Sequence, residues 1–219
     1  MYGGDCVVLI IFSTALLALL AFCLGALPFS VIIGRLFLHK DITGYADGNP
    51  GAANVFRAGG GKLGYLAVFL DIAKGVPLVF LAHAFFDLPY VSVVIVAVAA
   101  VMGHAFSPFL HWQGGKAIAV SFGVLIAMPE HEALIVFAAC IILGALIIKV
   151  DAWAVVLGAA ASLAYLALTG AETWEKLLVL CLLVVMTVKQ FNGLRTSPGI
   201  GGWLLRWIQS MWRDTTTGV

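Results

Sequence analysis

The chain has 219 residues, of which 63% are hydrophobic and 11% are charged, and its mean hydropathy is +1.09. Soluble domains carry about 25% charged residues, so this composition excludes an ordinary soluble globular protein. The net charge is +1 and the sequence has no long basic run, so we expect no nucleic-acid partner. We therefore interpret the chain as a polytopic membrane protein with an all-α fold.

Seven apolar runs are candidates for crossing a bilayer, which takes about 20 residues per helix. They cover residues 7–36, 65–85, 90–110, 115–128, 132–148, 153–168 and 174–188. The fourth run is short, and six crossings is the main alternative to seven. No basic segment precedes the first run, so we expect it to stay in the mature protein as a helix. No repeat or long linker divides the sequence, so residues 1–219 are expected to form one domain.

Charged residues fall on two sides of these seven runs. One side carries Arg35, Lys40, Arg57, Lys62, Lys116, Lys149, Lys189, Arg195, Arg206 and Arg213. The other side carries Asp5, Asp87, Glu130, Glu132, Glu172 and Glu175. Because cytoplasmic loops carry an excess of Lys and Arg, we expect the amino end outside and the carboxyl end inside. Both of the glycine-rich loops described next are then cytoplasmic.

The first glycine-rich segment, loop one, covers residues 39–62. Irregular backbone is not tolerated against lipid, so this segment lies at the membrane surface or lines a cavity. Glycine lets backbone N–H groups converge on an oxyanion, and the arginine fork suits two phosphate oxygens. The residues concerned are Gly48, Asn49, Gly51, Asn54 and Arg57. The pattern predicts an anion site; the alternative is a connecting loop whose arginine meets lipid headgroups.

The second segment, loop two, covers residues 103–116 and ends in Gly114, Gly115 and Lys116. If the following helix begins near Gly115, its free N–H groups lie beside the lysine and a phosphate would meet both. The motif is not a Walker A sequence, so nucleotide binding is not expected. His104 and His111 are candidates for a base or a ligand, and the alternative is that they bond backbone carbonyls near a helix end.

Two charged residues, Asp71 and Lys74, lie three positions apart on one face of the second helix. Charged residues inside a span usually face the protein interior. We interpret them as a mutual ion pair that braces loop one, and the alternative is direct support for Arg57 or for a substrate.

The carboxyl-terminal part carries a further polar group and an amphipathic stretch. Lys189, Asn192 and Arg195 directly follow the last span and would reach the same surface as the two loops, although positive-inside bias also explains them. In residues 201–213, apolar and basic residues recur at helical spacing. This pattern predicts a short interfacial helix or an aromatic belt.

Several motifs, taken in order along most of the chain, resemble the bacterial acyl-phosphate:glycerol-3-phosphate acyltransferases, the PlsY family. They are GALPFSVIIGR from Gly25, GNPGAANVFR from Gly48, LDIAKG from Leu70, GHAF from Gly103 leading into GGK, and NGLR from Asn192. The resemblance implies a seven-helix enzyme of the bacterial plasma membrane with its active face in the cytoplasm. It also implies acyl transfer from acyl phosphate to the 1-hydroxyl of glycerol 3-phosphate, which gives lysophosphatidic acid for phospholipid synthesis.

The resemblance also assigns roles by position. Arg57 and Lys116 match the phosphate-binding residues, and with Asn54 they are the expected catalytic group. The expected binding residues are Gly48, Asn49, Gly51, His104, Gly114, Gly115, Lys189, Asn192 and Arg195, and further candidates are Asp47, Asp71 and Lys74. No cofactor and no metal is implied. The expected partners are the two substrates and membrane lipids, and a homo-oligomer or a membrane-protein partner is left open.

The chain also differs from the family pattern. Asp47 stands in place of Ser, Ala53 of Thr, Gln113 of a basic residue, Ala117 of Gly, Val120 of Thr and Lys189 of His. Because an aspartate repels a phosphate, we expect Asp47 to point away, to pair with Arg57 or Lys189, or to mark a changed substrate. These differences motivate a second hypothesis, a non-catalytic subunit that binds or transports lipid phosphates. A channel or secondary transporter is less favoured, because the polar residues cluster at one face.

Overall fold

The computed structural model describes residues 4–199, and these residues are helical or irregular apart from an isolated β-bridge residue, Ile148. The helices are α1 Gly4–Ala26, α2 Phe29–Phe37, α3 Ala52–Arg57, α4 Gly61–Ala73, α5 Pro77–Phe80, α6 Tyr90–Ala105, α7 Ile118–Ile126, α8 Glu132–Ile147, α9 Asp151–Thr169, α10 Thr173–Lys189 and α11 Phe191–Leu194. A π-helical segment, Leu81–Phe85, continues α5, and short 3-10 turns occur at Ile42–Gly44 and Pro108–Leu110. The interfacial helix expected over residues 201–213 lies outside the described residues.

Four helical segments of the described part are long and apolar enough to cross a bilayer. They are Gly4–Phe37, Gly61–Phe85, Tyr90–Leu110 and Asp151–Thr169, and α8 is a shorter apolar helix. α1 exposes Val8, Phe12 and Leu19 to 61–67%. Large apolar side chains exposed along a whole helix suit lipid rather than water. The protein is therefore a multi-pass membrane protein.

The single first helix expected over residues 7–36 is broken at Pro28, between α1 and α2. Proline has no N–H, and its ring disfavours a helical conformation at the preceding Leu27. Lys74 Nζ donates a hydrogen bond to the Leu27 carbonyl at 2.9 Å, and Ser107 Oγ donates to the last carbonyl of α1 at 2.6 Å. Lys74, directly after α4, and Ser107, in loop two, thus provide hydrogen-bond donors for the backbone carbonyls at the break.

Small residues bring neighbouring helices close together around loop two. A Cβ atom on Gly25 of α1 would collide with the backbone carbonyl of Ala100, and one on Gly103 of α6 would collide with that of Phe22. Gly123 of α7 lies equally close to the backbone of α4. Such close approach is a common way for helices to pack in membranes. These contacts hold α6 and α7, which flank loop two, against α1 and α4.

Charged groups gather at opposite ends of α6 and α10. At one end, the Tyr90 ring stacks on Trp174 with centroids 4.9 Å apart. Acidic groups surround this end: Asp87, Glu130, Glu132, Glu172 and Glu175. α10 runs from there to Lys189, at the end where basic side chains from several elements meet. The two ends of the bundle therefore differ in charge.

Two details of the described helices differ from the sequence expectations. The second span begins at Gly61 rather than at residue 65, because Lys62 and Leu63 are compatible with one more helical turn after the glycine run. A cysteine in an apolar stretch without metal-ligand spacing is expected to be a buried small hydrophobe, but Cys23 is exposed on the outer face of α1. A thiol is apolar enough to face lipid in that position.

Candidate functional site

A cavity of about 880 Å³ lies at the basic end of the bundle. Its charged lining residues are Arg35, Asp47, Arg57, Lys116, Lys149, Asp151 and Lys189. The others are Thr43, Ala46, Gly48, Asn49, Pro50, Phe109, Leu110, His111, Gln113, Gly114, Val150, Ala152, Gln190, Asn192 and Gly193. The volume is in the range of about 300–1,000 Å³ that is typical of small-molecule sites. Five cationic side chains against two carboxylates favour an anionic ligand.

Asn54, at the centre of loop one, is fully buried and holds the loop together. Its Nδ2 donates to the carbonyls of Tyr45 and Asn49, each at 2.9 Å. Its Oδ1 accepts a hydrogen bond of 2.8 Å from Arg57 NH1. The structure therefore places Asn54 behind the cavity surface, where it orients the loop and the guanidinium, while Arg57 and Asn49 line the cavity.

Two glycines shape the turn of loop one. Gly48 has a φ of 71°, in the left-handed region that favours glycine, and its N–H donates to the Tyr45 carbonyl at 2.9 Å. Gly51 immediately precedes α3, and a Cβ atom there would lie only 2.6 Å from Asn49 Nδ2. The two positions therefore serve the shape of the loop, and Gly48 also lines the cavity.

Loop two presents Lys116 to the cavity from irregular backbone rather than from a helix. The expected start of α7 near Gly115 is wrong: the helix begins at Ile118, after Ala117 with a φ of 65°. A left-handed residue interrupts a right-handed helix. The N–H of Gly115, expected from the sequence to be free, donates to the His104 carbonyl at 3.0 Å.

Gly114 and Gly115 let loop two return across the end of α6. A Cβ atom on Gly114 would collide with the carbonyl oxygen of His104, and one on Gly115 would collide with the Nε2 atom of the same residue. A larger residue at Gly114 would require movement of the α6 backbone, and a larger residue at Gly115 would require movement of the His104 ring. The position of Lys116 therefore depends on this contact between two glycines and one histidine.

An ion pair joins the two loops inside the cavity lining. Asp47 Oδ2 lies 2.6 Å from Lys116 Nζ, so this aspartate neither points away nor pairs with Arg57 or Lys189, and of the three expected alternatives a changed substrate stays a prediction. The return of loop two over α6 brings the Lys116 ammonium to the turn that Gly48 makes, which sequence spacing does not reveal. Burial raises the pKa of the Asp47 carboxyl, but hydrogen bonds and the charge of Lys116 outweigh it and hold the pKa below its ordinary value of 3.8.

Asp71 and Lys74 form the predicted buried ion pair, with Oδ1 and Nζ 2.9 Å apart. Ser30 Oγ donates to the other carboxylate oxygen of Asp71 at 3.0 Å. His104 Nδ1 lies 3.8 Å from Asp71 Oδ1, so the histidine ring sits between the pair and Gly115. The pair thus stabilises the backbone at the break between α1 and α2 and the His104 ring that lies under loop two. The expectation that the pair braces loop one is wrong.

The residues after α10 divide between the cavity and its surroundings. Lys189 and Asn192 line the cavity, and Lys189 Nζ lies 5.2 Å from the centre of the Phe106 ring. Arg195 lies outside the lining, and its guanidinium is 5.0 Å from the Phe191 ring. Gln190 lines the cavity but is only 2% exposed, and its side-chain amide has no hydrogen-bond partner among the described residues.

Sequence reasoning did not assign six polar lining residues to the site: Arg35, Thr43, Gln113, Lys149, Asp151 and Gln190. The charge pattern places Arg35 and Lys149 on the same side of the membrane as the loops, which is the one signal that the sequence offers for them. Their convergence depends on where the end of α2 and the turn between α8 and α9 lie in space. That placement is a property of the bundle and not of any local motif.

The sequence model of the glycerol-3-phosphate acyltransferase family matches residues 15–195, a range that contains every residue of the cavity lining. A glycerol-3-phosphate acyltransferase from Lacticaseibacillus casei is 37% identical over 175 residues, which cover 78% of this chain and 82% of the relative. One from Macrococcus caseolyticus is 41% identical over 123 residues, which cover 56% of this chain. That match spans 62% of the Macrococcus relative, less than two thirds of its length.

Solved structures of PlsY, an integral membrane glycerol 3-phosphate acyltransferase, have a similar fold. The glycerol 3-phosphate form gives a TM-score of 0.71 at 24% identity. The lysophosphatidic acid form gives 0.70 at 26% identity. Each comparison covers 84% of this chain and 90% of the other. The similarity therefore extends over nearly all of the helical bundle.

Proposed function

Because the chain belongs to the glycerol-3-phosphate acyltransferase family, we propose that it transfers a fatty acyl group from acyl phosphate to glycerol 3-phosphate, forming lysophosphatidic acid. The observation that carries this proposal is the cation-rich cavity in which Arg57 and Lys116 converge from separate loops. Both proposed substrates carry a phosphate, and such a cavity is suited to binding phosphates. Relatives that carry the name glycerol-3-phosphate acyltransferase support the same reaction.

The reaction needs no side-chain nucleophile. The 1-hydroxyl oxygen of glycerol 3-phosphate attacks the acyl carbonyl carbon, and the bond from that carbon to the phosphate oxygen breaks. Inorganic phosphate leaves with the bonding electrons, and a phosphate oxygen of a substrate accepts the hydroxyl proton. Positioning of the two substrates and stabilisation of the developing negative charge then supply the catalysis.

Five lining residues contribute to this reaction through their charge or their hydrogen-bond donors. Lys116 and Arg57 hold substrate phosphate and stabilise the phosphate that leaves. Asn49 and Asn192 donate from their amides, and Lys189 adds a third cation near the end of α10. Asn54 acts through Arg57, which it holds at 2.8 Å.

We place the cavity on the cytoplasmic side of a bacterial plasma membrane. The cavity lining has an excess of Lys and Arg, and the acidic residues gather at the other end of α10. Cytoplasmic ends of membrane helices carry this excess of Lys and Arg. Seven crossings follow if α1, α4 with α5, α6, α7, α8, α9 and α10 each connect the two ends, with the amino end outside. Residues from 35 to 193 build the same cavity, which supports a single domain.

Membrane lipid is the proposed source of one substrate. Phe109 and Trp112, in loop two, are each 62% exposed, and large aromatic side chains are favoured at the membrane interface. An acyl phosphate anchored in the lipid by its chain would bring its phosphate to the same level. The donor can then enter the cavity from the membrane while glycerol 3-phosphate enters from water.

Product formation by the purified full chain in lipid vesicles tests the proposal. Palmitoyl phosphate and radiolabelled glycerol 3-phosphate are supplied together, and a parallel reaction contains palmitoyl-CoA instead. We expect labelled lysophosphatidic acid with the acyl phosphate only. Binding of glycerol 3-phosphate without any ester product, in folded protein, would contradict the proposal and favour the non-catalytic alternative.

A further inference from the structure

The Asp47 carboxylate binds a set of hydrogen-bond donors in the cavity that could also bind a phosphate. Oδ2 lies 2.6 Å from Lys116 Nζ. Oδ1 accepts a hydrogen bond of 3.2 Å from the Asn49 backbone N–H and one of 3.3 Å from Asn54 Nδ2. An ammonium, a backbone N–H and a side-chain amide together form a donor set typical of a phosphate site.

The carboxylate is not locked in this position. The Asp47 side chain is 42% exposed and the Lys116 side chain 29% exposed, so water reaches the pair. Ion pairs this exposed contribute little to stability, about 0–1 kcal/mol. A ligand of higher charge that meets the same donors can therefore displace the aspartate without unfolding either loop.

We propose that Asp47 is an internal competitor for the phosphate site and thereby sets the affinity of the cavity for phosphate ligands. Its carboxylate pairs with Lys116, and it swings out when a phosphate binds to the lysine in its place. This inference rests on the proposed function, because it concerns the same site and the same ligand class. Asp47 is then a specificity-determining residue, and Lys116 remains the group that contacts substrate.

The competition has a consequence for the end of the reaction. Acyl transfer releases inorganic phosphate, which carries no acyl chain or glycerol moiety to add further contacts. Return of the Asp47 carboxylate to Lys116 displaces this small product more readily than it displaces either substrate. Inhibition by inorganic phosphate is therefore weaker with Asp47 present than without it.

Direct binding of inorganic phosphate tests the inference. The affinity of the purified full chain is measured by isothermal titration calorimetry for the wild type, Asp47→Asn and Asp47→Ser. We expect both substitutions to tighten binding up to about fivefold, equivalent to about 1 kcal/mol. The matched control is Asp41→Asn in the same loop, because the Asp41 carboxylate bonds only to the N–H and hydroxyl of Thr43 among the described contacts. This control should leave the affinity unchanged.

A second pair of proteins shows whether the effect passes through the lysine. In a Lys116→Ala background, Asp47→Asn should change phosphate affinity much less than it does in the wild type. The ammonium for which the carboxylate and the phosphate compete is then absent. Unchanged or weaker phosphate binding by both Asp47 variants, with unfolding temperatures like that of the wild type, would overturn the inference and make Asp47 a positioning residue for Lys116. The titration contains no acyl donor and measures phosphate binding alone. A protein that fails to transfer acyl groups would therefore refute the proposed function, and the titration would still test the role of Asp47.

Discussion

The ammonium of Lys116 lies 2.6 Å from the carboxylate of Asp47, so an ion pair joins the two glycine-rich loops at the cavity. Both side chains remain partly exposed, and exposed pairs stabilise folded proteins by about 0–1 kcal/mol. The effect of this pair is therefore expected on ligand binding rather than on unfolding. It also means that the main phosphate-binding candidate is already neutralised by the protein itself.

The effect of Asp47 on phosphate binding should not vary near neutral pH. Its pKa is held below the ordinary value of 3.8, chiefly by Lys116 acting against burial, so its charge is present above 3.8 and is lost only as the pH falls through the lowered pKa. We expect the ratio of phosphate affinities of Asp47→Asn and wild type to agree within about twofold at pH 6 and pH 8. Titration calorimetry at the two pH values measures it. Inorganic phosphate itself changes from mainly monoanion to mainly dianion between these pH values, so the ratio is also measured with sulfate, whose charge is constant. A sulfate ratio that approaches one at pH 6 would show that the carboxyl titrates there.

Alanine at Gly114 should damage the site through packing alone. The added Cβ atom would collide with the backbone carbonyl of His104, which cannot move without α6. Overpacking of this kind costs about 1–3 kcal/mol, and displacement of Lys116 should lower acyl transfer at least about tenfold. The matched control is Gly44→Ala, because a Cβ atom at Gly44 has no neighbour within 4 Å. Equal activity of the two variants would show that loop two does not need this close approach.

Removal of Asp71 should destabilise the whole bundle. Asp71→Ala leaves the ammonium of Lys74, whose side chain is 2% exposed, without its carboxylate partner. An uncompensated buried charge costs about 3–5 kcal/mol, so we expect a clearly lower unfolding temperature in detergent. The double variant Asp71→Leu with Lys74→Met removes both charges and should recover most of that loss. A double variant no more stable than Asp71→Ala would show that the bundle loses stability because the ion pair is absent, and not because a lysine charge is left unpaired.

Loss of the Asn54 amide should reduce activity by releasing Arg57. Asn54→Ala removes the acceptor of the 2.8 Å hydrogen bond from Arg57 and the donor that closes loop one. We expect a weaker apparent affinity for glycerol 3-phosphate, by about tenfold, because an unheld guanidinium loses more entropy on binding. Steady-state kinetics measure this change. Lys62→Ala, at an exposed position at the start of the next helix, is the control. Wild-type kinetics for Asn54→Ala would contradict the supporting role.

The chemistry of the site can be predicted from the sequence because it is local. Arg57, Asn49 and Lys116 stand in glycine-rich segments that lipid cannot accept, so the sequence alone predicts that all three lie at one membrane surface. The spacing of Asp71 and Lys74 likewise predicts their contact, because residues three apart face the same side of a helix. Helix geometry over a few residues and the exclusion of polar backbone from lipid are sufficient to predict these features.

The remaining features depend on contacts between distant parts of the chain. Ala117 adopts a left-handed φ because loop two must return to the His104 carbonyl, so no local propensity places the start of α7 at Ile118. The partner of Asp47 is set by where that return leaves Lys116. Arg35 and Lys149 join the cavity only because α2 and the α8–α9 turn end beside it.

Initial rates of acyl transfer by Lys116→Ala and Lys62→Ala test the central claim most directly. Lys62 is an exposed lysine at the start of α4, whereas Lys116 lines the cavity. Palmitoyl phosphate and radiolabelled glycerol 3-phosphate are supplied to each purified variant in lipid vesicles, with unfolding temperatures measured alongside. We expect Lys116→Ala to lose activity at least about a hundredfold, as removal of one charge-stabilising donor does in other enzymes, and Lys62→Ala to match the wild type. Retained activity in folded Lys116→Ala would contradict the claim that this cavity binds the reacting phosphate.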